Sequence, residues 1–302
     1  MEVNRPANPS DLFSAKDLVI VITGGGSGIG LAFASALARN GASRIFLLGR
    51  RLPPLEKARS DFGDSIIPVQ ADVASSSSLS SAVQTISSQT PYIDVLINNA
   101  GVTGPTHTDL YNANSIDELS QMMLSQQEKW ASTYEINTTA VVTVSGAFLP
   151  LLHAGNVRKG WPAGRRTIHK REKVPEGIDA DDLRTSQIIT VASISAFNRE
   201  VTAGLAYTAS KAGAVLLGKS MAHFLAGWGI RSNMIAPGRF PSEMTAGGQT
   251  EFGVDKVPAS VPGRFEDMAG TILYTVGKAG QYLNGNVQVL DGGRLSVMPG
   301  TY

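Results

Sequence analysis

The 302-residue chain has no cysteine, only four histidines and a formal charge of +1. Without cysteine it cannot form disulfides, zinc–thiolate sites or a cysteine nucleophile. A near-neutral charge gives no global field that would attract nucleic acid or an anionic membrane. No apolar run approaches the ~20 residues of a membrane span, and the polar, proline-bearing stretch up to Lys16 is unlike a secretory signal. We therefore expect a cytoplasmic protein with neither a nucleic-acid nor a membrane partner.

The few histidines do not predict a metal centre. His107, His153, His169 and His223 share no metal-ligand spacing. His223 is expected to pack or lie at the surface, and His153 to be a solvated loop residue. His107 lies close enough to a candidate ligand-binding segment that contact with a substrate stays an open alternative.

Apolar runs alternate with helix-like segments along most of the chain. The strand-like runs are 18–22, 44–48, 66–70, 93–97, 188–191, 231–235 and 287–290. This alternation predicts an α/β fold, a single Rossmann-type doubly wound parallel sheet with helices on both faces. We expect an N-terminal extension at 1–15 and one dinucleotide-binding catalytic domain at 16–302. Pro68 cannot donate to a central ladder, so its strand should be short or near an edge.

A glycine-rich turn follows the first strand. The order is a buried apolar run, then Thr23-Gly-Gly-Gly-Ser-Gly-Ile-Gly30, then a helix of small and apolar residues. In this context the bare backbone of the glycines can approach a pyrophosphate at a helix N-terminus. The segment therefore predicts a dinucleotide site, whereas a merely flexible turn would not need these flanks.

Farther along the chain, Tyr207 and Lys211 are four residues apart. On a helix these positions share one face, so the ammonium can lie beside the phenol. A nearby cation favours the phenolate, which predicts a lowered pKa for Tyr207 and a usable proton donor. Taken alone, this spacing is common on surface helices, and its meaning depends on the other motifs.

Together these motifs resemble those of the short-chain dehydrogenase/reductases, over roughly residues 16–297. The matching positions are Thr23, Gly24, Gly28 and Gly30 in the glycine motif, Asn98 to Gly101, Asn137, Ser193, Tyr207 with Lys211, Pro237 with Gly238, and Asp291 to Gly293. The resemblance implies a catalytic tetrad of Asn137, Ser193, Tyr207 and Lys211. Ser195 is a competing choice for the serine, although alignment of the preceding strand favours Ser193.

The resemblance also implies roles for the tetrad in reducing a ketone. Ser193 and Tyr207 would hydrogen-bond the carbonyl oxygen, and Tyr207 would give it a proton. Lys211 would support the tyrosine and hold the nicotinamide ribose, and Asn137 would anchor a water that relays protons to Lys211.

The end of the second strand indicates NADP(H) as the cofactor. Relatives that prefer NAD carry an acidic residue there, whereas this chain has Arg50 and Arg51. An arginine fork suits a 2′-phosphate, with Arg50 as the candidate and Arg51 as a helper or a solvated neighbour. The remaining cofactor-binding residues implied by the resemblance are Ser27, Ile29, Asp72, Val73, Asn99, Ala100, Gly101, Pro237, Gly238, Phe240 and Ser242, besides the glycine motif and the tetrad pair Tyr207 and Lys211.

A charged stretch at 153–186 is expected as a surface insertion. Basic residues crowd its first part and acidic residues its second. A solvated loop with self-complementary charge is the main interpretation. A basic flap that docks an anionic substrate or a carrier protein is the alternative.

The substrate is expected to be a bulky, mostly apolar carbonyl compound of small-molecule size. The segment 239–264 combines apolar residues with glycines, as suits a lid over such a ligand. Details of the sequence resemble the 3-oxoacyl-carrier-protein reductase-like branch common in fungal secondary metabolism, which implies a β-keto, polyketide-type or alkaloid-type substrate. A protein of this fold that binds NADP without redox chemistry, as a cyclase-like or isomerase-like enzyme or a cofactor sensor, is the alternative.

Assembly is suggested by the resemblance alone. Enzymes of this family commonly form dimers and tetramers through two long helices, and the helix-like segments 128–152 and 206–226 have compatible apolar stripes. A homodimer or homotetramer is therefore expected.

Overall fold

The structure is a computed structural model that describes residues 8–168, 170–171, 173–245 and 248–301. His169 and Gly247 lie outside the described residues. Seven strands form one sheet in the order β3-β2-β1-β4-β5-β6-β7, with every pair parallel. The strands are β1 (Val19–Thr23), β2 (Arg44–Gly49), β3 (Ile66–Gln70), β4 (Val95–Asn98), β5 (Gln187–Val191), β6 (Arg231–Pro237) and β7 (Val287–Leu290). The predicted doubly wound sheet is confirmed, and Pro68 lies in the edge strand β3 as expected.

Helices cover both faces of the sheet. They are α1 (Pro9–Leu12), α2 (Gly28–Arg39), α3 (Leu52–Phe62), α4 (Ser76–Ser87), α5 (Ile116–Leu124), α6 (Glu128–Tyr134), α7 (Ala140–Arg158), α8 (Leu205–Phe224), α9 (Phe265–Val276) and α10 (Arg294–Val297). Because side chains alternate along a strand, Ile20 and Ile22 of β1 pack with α2, α3 and α9, whereas Val19 and Val21 pack with α4, α7 and α8. The polypeptide therefore has an apolar core on each face of the sheet.

The stretch Glu128–Arg158 is continuous in helical conformation but contains one π-helical turn, Glu135–Thr139. Its length and mean hydropathy of 1.4 would suit a membrane span, yet half of it is buried in the protein. Phe148 and Leu152 on α7 are fully buried against the sheet. We therefore interpret this stretch as a core helix of the fold.

The charged stretch 153–186 is not a loop throughout. Its first residues complete α7, and the chain then returns along the amino-terminal ends of the strands. Lys159 Nζ lies 2.9 Å from a carboxylate oxygen of Asp94, just before β4, and Arg158 pairs with the same oxygen at 3.1 Å. These contacts place this part of the stretch at the edge of the sheet opposite to the carboxyl ends of the strands.

Farther along the same stretch, Arg184 is buried and holds Asp182 through two hydrogen bonds of 2.8 Å. Burial opposes ionisation of Asp182, but the hydrogen bonds and charge of Arg184 outweigh it and lower the pKa of that carboxyl to about 2. The expectation of a solvated loop is thus wrong for Lys159, Asp182 and Arg184, which are buried ion-pair partners.

The residues after β7 fold back over the carboxyl-terminal edge. Gly300 forms an antiparallel bridge with Asn198, and the Thr301 N–H donates to the Phe197 carbonyl at 2.7 Å. Arg199 N–H donates to the Pro299 carbonyl at 2.8 Å. This segment therefore closes one side of the region around Ser193 and Tyr207.

Candidate active site

The glycine loop lies at the carboxyl end of β1, where α2 begins. Gly24 and Gly28 have φ values of +65° and +53°, a region that side chains disfavour. A Cβ added at Gly30 would lie 2.4 Å from the Gly24 carbonyl oxygen. The loop can therefore close tightly on the helix terminus only because these positions lack side chains, and the first N–H groups of α2, which have no partner within the helix, can bind an anion there.

Thr23, at the end of β1, and Asn99, just after the neighbouring strand β4, hold this loop in place. The Thr23 hydroxyl accepts hydrogen bonds of 3.0 Å from the N–H groups of Asn99 and Ala100. The Asn99 side-chain amide donates to the carbonyls of Thr23 and Gly24, each at 3.0 Å. These hydrogen bonds join the glycine motif to the Asn98–Gly101 motif and fix their relative positions.

Ser193 and Tyr207 meet beyond the end of β5. Ser193 is buried, its hydroxyl accepts from the Ser195 N–H at 3.1 Å, and its side chain hydrogen-bonds Tyr207. Burial raises the pKa of Tyr207, and the bond to Ser193 offsets only part of that rise. The expectation of a lowered pKa is therefore wrong for this structure, because the desolvation of the phenol is the largest effect.

Lys211 is one helical turn beyond Tyr207 on α8, and its Nζ lies 5.9 Å from the centre of the tyrosine ring. The ammonium donates to the Val191 carbonyl at 2.9 Å. Burial lowers the pKa of Lys211 to about 8. Among the described residues no carboxylate pairs with it, so the cation is left available to a ligand.

Asn137 lies in the π-helical turn, a feature often found at functional sites. Its amide group accepts from the Val102 N–H and donates to the Val102 carbonyl, both at 2.9 Å, and donates to the Ser210 hydroxyl at 3.0 Å. A Cβ added at Gly101 would lie 3.2 Å from Asn137 Oδ1 and 3.3 Å from Lys211 Nζ. Asn137 and Lys211 therefore converge on the same backbone position.

A groove of about 480 Å³ connects the glycine loop to the tetrad. The predicted residues that line it are Gly24, Ser27, Gly28, Ile29, Arg50, Asn99, Ala100, Gly101, Ser193, Tyr207, Lys211, Pro237, Gly238, Phe240 and Ser242. Thr23, Gly30 and Asn137 do not line the groove but contact residues that do. Thr23 and Asn137 hydrogen-bond the backbone of Asn99 and Val102, and Gly30 packs against Gly24. Asp72 and Val73 do not line the groove, and the Asp72 carboxylate instead accepts the Ala74 N–H at 3.0 Å.

The two adjacent arginines after β2 have different surroundings. Arg50 lines the groove, whereas Arg51 pairs with Glu243 at 2.8 Å across the mouth of the groove, both side chains being 63% exposed. Arg50 thus remains the candidate for a 2′-phosphate. Arg51 is held by Glu243, a contact that the sequence did not reveal.

Several groove residues are absent from the sequence-based set. They are Val102, Thr103, Val191, Ala192, Glu243, Met244 and Thr245. Each neighbours a motif residue in the chain, so extending the motifs by a few positions would have found them. His107 lies in neither cavity that contains Tyr207; it is buried near Trp130, with ring centres 6.2 Å apart.

Comparison with known proteins agrees with this geometry. Residues 18–160 match the family described as short chain dehydrogenase, and residues 180–294 match one described as enoyl-(acyl carrier protein) reductase. The chain belongs to the short-chain dehydrogenase/reductase family, whose members are oxidoreductases acting on CH–OH or C=O groups. The resemblance inferred from the sequence motifs is confirmed.

Relatives of similar length come from fungi and bacteria. The chain is 38% identical to the short-chain dehydrogenase/reductase PhomF of Diaporthe leptostromiformis, over 97% of this chain and 96% of that protein. It is 30% identical to a rhamnolipids biosynthesis 3-oxoacyl-[acyl-carrier-protein] reductase of Pseudomonas aeruginosa, covering 93% and 97% of the two chains. A solved Pseudomonas aeruginosa RhlG/NADP active-site complex superimposes with a TM-score of 0.72 at 26% identity, over 94% of this chain and 98% of that one.

Proposed function

We propose that this protein is an NADP(H)-dependent reductase that converts a carbonyl group of a small-molecule substrate to an alcohol. The observation that carries the proposal is the contact of Ser193 with Tyr207 in a groove that continues, past Lys211, to the glycine loop. A β-keto, polyketide-type or alkaloid-type substrate fits the fungal relatives and the apolar residues of the segment 239–264.

The groove fits a nicotinamide dinucleotide in its chemistry. The first N–H groups of α2, which have no partner within the helix, suit the pyrophosphate, and Arg50, without an ion pair to any residue that the structure describes, suits a 2′-phosphate. Lys211 and Tyr207 lie at the far end, where the ribose and the nicotinamide would be held. When bound, the reduced nicotinamide supplies the hydride that the carbonyl carbon accepts.

The protein's own groups act on the carbonyl oxygen. Ser193 and Tyr207 donate hydrogen bonds to this oxygen as negative charge grows on it, and the Tyr207 hydroxyl gives up its proton. A phenol is protonated at neutral pH, as an acid must be, and burial raises the pKa of Tyr207 further. Lys211 stabilises the phenolate left behind, and Asn137 fixes the backbone beside Lys211.

Replacing the tyrosine tests this role directly. Tyr207→Phe should lower kcat at least a hundredfold, because the proton donor is lost, while the Kd for NADPH changes less than threefold. Oxidation of NADPH is followed by absorbance with a panel of β-diketones, aryl ketones and cyclic ketones, and NADPH binding is followed by fluorescence. Ser195→Ala is the matched control and should keep most activity, whereas Ser193→Ala should not.

Two outcomes would contradict the proposal. Turnover retained in Tyr207→Phe would remove Tyr207 from the acid role. Tight NADPH binding without oxidation across the panel would favour the non-redox alternative, a cyclase-like or isomerase-like enzyme or a cofactor sensor.

We also propose that the protein is cytoplasmic and acts as a homodimer or homotetramer. Val142 on α7 and Leu216 on α8 are 44% and 65% exposed, so both long helices present apolar surface to solvent. Sedimentation equilibrium of the purified protein measures the assembly, and a monomer at micromolar concentration would reject it.

A further inference from the structure

Two arginines line a cavity next to Tyr207, and the proposed reductase mechanism gives neither of them a role. A cavity of about 330 Å³ opens on Ser193 and Tyr207, and Arg239 and Arg294 also line it. Its other lining residues include Thr103, Thr106, Thr202 and Thr245. No Asp or Glu is among the described residues that line this cavity.

The fold brings the two arginines together from distant parts of the sequence. Arg239 follows β6 directly, and Arg294 begins α10 just after β7. These strands are parallel neighbours, so their carboxyl ends lie side by side. The Gly238 N–H donates to the Leu290 carbonyl, and a Cβ at Gly238 would come within 2.7 Å of Asp291 Cα. The close contact of the strand ends thus places both arginines along the wall of one cavity.

Neither guanidinium group forms an ion pair with a residue that the structure describes. Arg239 lies over the ring of Phe252, 5.4 Å from its centre, and Arg294 Nε contacts the sulfur of Met298 at 3.2 Å. Asp291, the acidic residue nearest to Arg294 in the sequence, is engaged by backbone, since its two oxygens accept the N–H groups of Gly293 and Leu295 at 2.9 and 2.7 Å. Glu243, the one nearest to Arg239, pairs with Arg51. Asp291 lines an adjoining cavity and not this one.

A second, adjoining cavity also has Arg239 and Arg294 in its wall, but most of its other lining residues are apolar. Its volume is about 390 Å³, and its walls include Phe240, Phe252, Val257 and Val261. Asp267 also faces it, with one oxygen accepting the Arg264 N–H at the start of α9. Arg239 and Arg294 line both cavities and therefore stand between the tetrad and the apolar space.

We propose that the substrate carries a carboxylate that binds Arg239 and Arg294. This inference rests on the proposed reductase function and narrows its substrate class to a carbonyl compound with an acid group and an apolar body. Half-buried cations without an acidic partner are costly to desolvate, and a planar carboxylate accepts the guanidinium fork in two hydrogen bonds. The carbonyl then lies at Tyr207 and the apolar body in the adjoining cavity.

The test measures binding to the protein saturated with NADPH, so it does not require turnover. The probes are 2-naphthoate and its neutral match 2-naphthamide, compared by titration calorimetry. The unmodified protein should bind the carboxylate at least tenfold more tightly than the amide. In Arg294→Gln and in Arg239→Gln this preference should fall below threefold, whereas Arg39→Gln, an exposed arginine at the end of α2, should keep it.

Equal affinities for the two probes in the unmodified protein would overturn the proposal, as would a preference that persists in both arginine variants. Phosphopantetheine and pantetheine form a second pair. A preference for phosphopantetheine that Arg294→Gln abolishes, without any preference for naphthoate, would assign the arginines to a phosphate and reject the carboxylate.

Failure of the reductase function gives a different result. A carboxylate preference that depends on Arg294, combined with no oxidation of NADPH by any keto acid or neutral ketone, would keep the anion site and refute the reductase. Among substrates that do turn over, 2-acetylbenzoate and its methyl ester should differ in KM more than in kcat, and Arg294→Gln should remove that difference.

Discussion

Two buried lysines, Lys159 at the amino-terminal edge of the sheet and Lys211 at the carboxyl-terminal edge, have different partners. At the amino-terminal edge, Lys159 and Arg184 each lie within 2.9 Å of a carboxylate oxygen. At the carboxyl-terminal edge, Lys211 is equally buried, but within the part of the chain that the structure describes its one acceptor is the Val191 carbonyl, and burial lowers its pKa to about 8. Carboxylates of the protein thus neutralise Lys159 and Arg184, whereas Lys211 keeps its charge for a ligand at a cost in stability.

Breaking a pair at the amino-terminal edge should have the largest effect on folding. Asp94→Asn removes the carboxylate that lies 2.9 Å from the buried Lys159 and weakens the 2.9 Å contact of residue 94 with the Val19 N–H. A loss of roughly 3–5 kcal/mol in the free energy of unfolding is expected. Urea denaturation followed by circular dichroism measures it, and NADPH affinity of the folded protein should stay within threefold.

A matched exposed pair is the control for this change. Asp64 pairs with Arg59, with 97% and 56% of their side chains exposed. Asp64→Asn should therefore cost under about 1 kcal/mol. If Asp94→Asn and Asp64→Asn cost the same, the distinction between the two edges would be lost.

Replacing Lys211 should raise the free energy of unfolding, whereas breaking the Asp94 pair should lower it. The folded protein releases the Lys211 proton near pH 8, whereas an unfolded lysine keeps it to about 10.5. The burial cost is thus fully present below pH 8 and disappears as the pH rises through this interval. At ~1.4 kcal/mol per pKa unit it amounts to about 3 kcal/mol.

Lys211→Met should therefore stabilise the protein by up to about 3 kcal/mol at pH 7 while abolishing turnover. Thermal unfolding between pH 7 and 10 should show stability rising with pH in the unmodified protein and a flatter profile in the variant. An identical rise in both proteins would assign the pH dependence to another group.

Arg50 and Arg51 provide the smallest and most local comparison, because Arg51 pairs with Glu243 whereas Arg50 has no ion-pair partner in the described ranges of the chain. Arg50→Ala should weaken NADPH binding roughly ten- to a hundredfold and leave NADH binding nearly unchanged, since a charged hydrogen bond contributes ~1.5–3 kcal/mol. Arg51→Ala breaks only the exposed pair with Glu243 and should change both by less than threefold. Equal losses of NADPH and NADH affinity in Arg50→Ala would reject a 2′-phosphate site.

The sequence revealed the sheet and the glycine loop because their signals are local. An apolar run, a glycine-rich turn and a helix follow one another within β1 and α2, and Pro68 alone indicated an edge strand. Ser193, Tyr207 and Lys211 were predicted from their resemblance to short family motifs, and the structure brings all three to one groove. Such patterns involve residues that are close in the sequence, so they can be recognised without the tertiary structure.

Contacts between distant segments could not be predicted in this way. The Arg51–Glu243 pair, the bridge of Asn198 with Gly300 and the Lys159–Asp94 pair join residues that share no local pattern. The pKa of Tyr207 was misjudged for the same reason. Spacing shows that a lysine is near, whereas desolvation depends on everything packed around the phenol.

The π-helical turn Glu135–Thr139 also restricts how the length of the chain can vary. Each residue of an α-helix advances about 100° around the axis. Deleting one residue here would rotate α7 by that angle against α6, so that Phe148 would turn away from the sheet or Asn137 away from Ser210. Residues inserted after Arg158 would not change the rotation of α7 relative to α6. The charged stretch that follows α7 begins there.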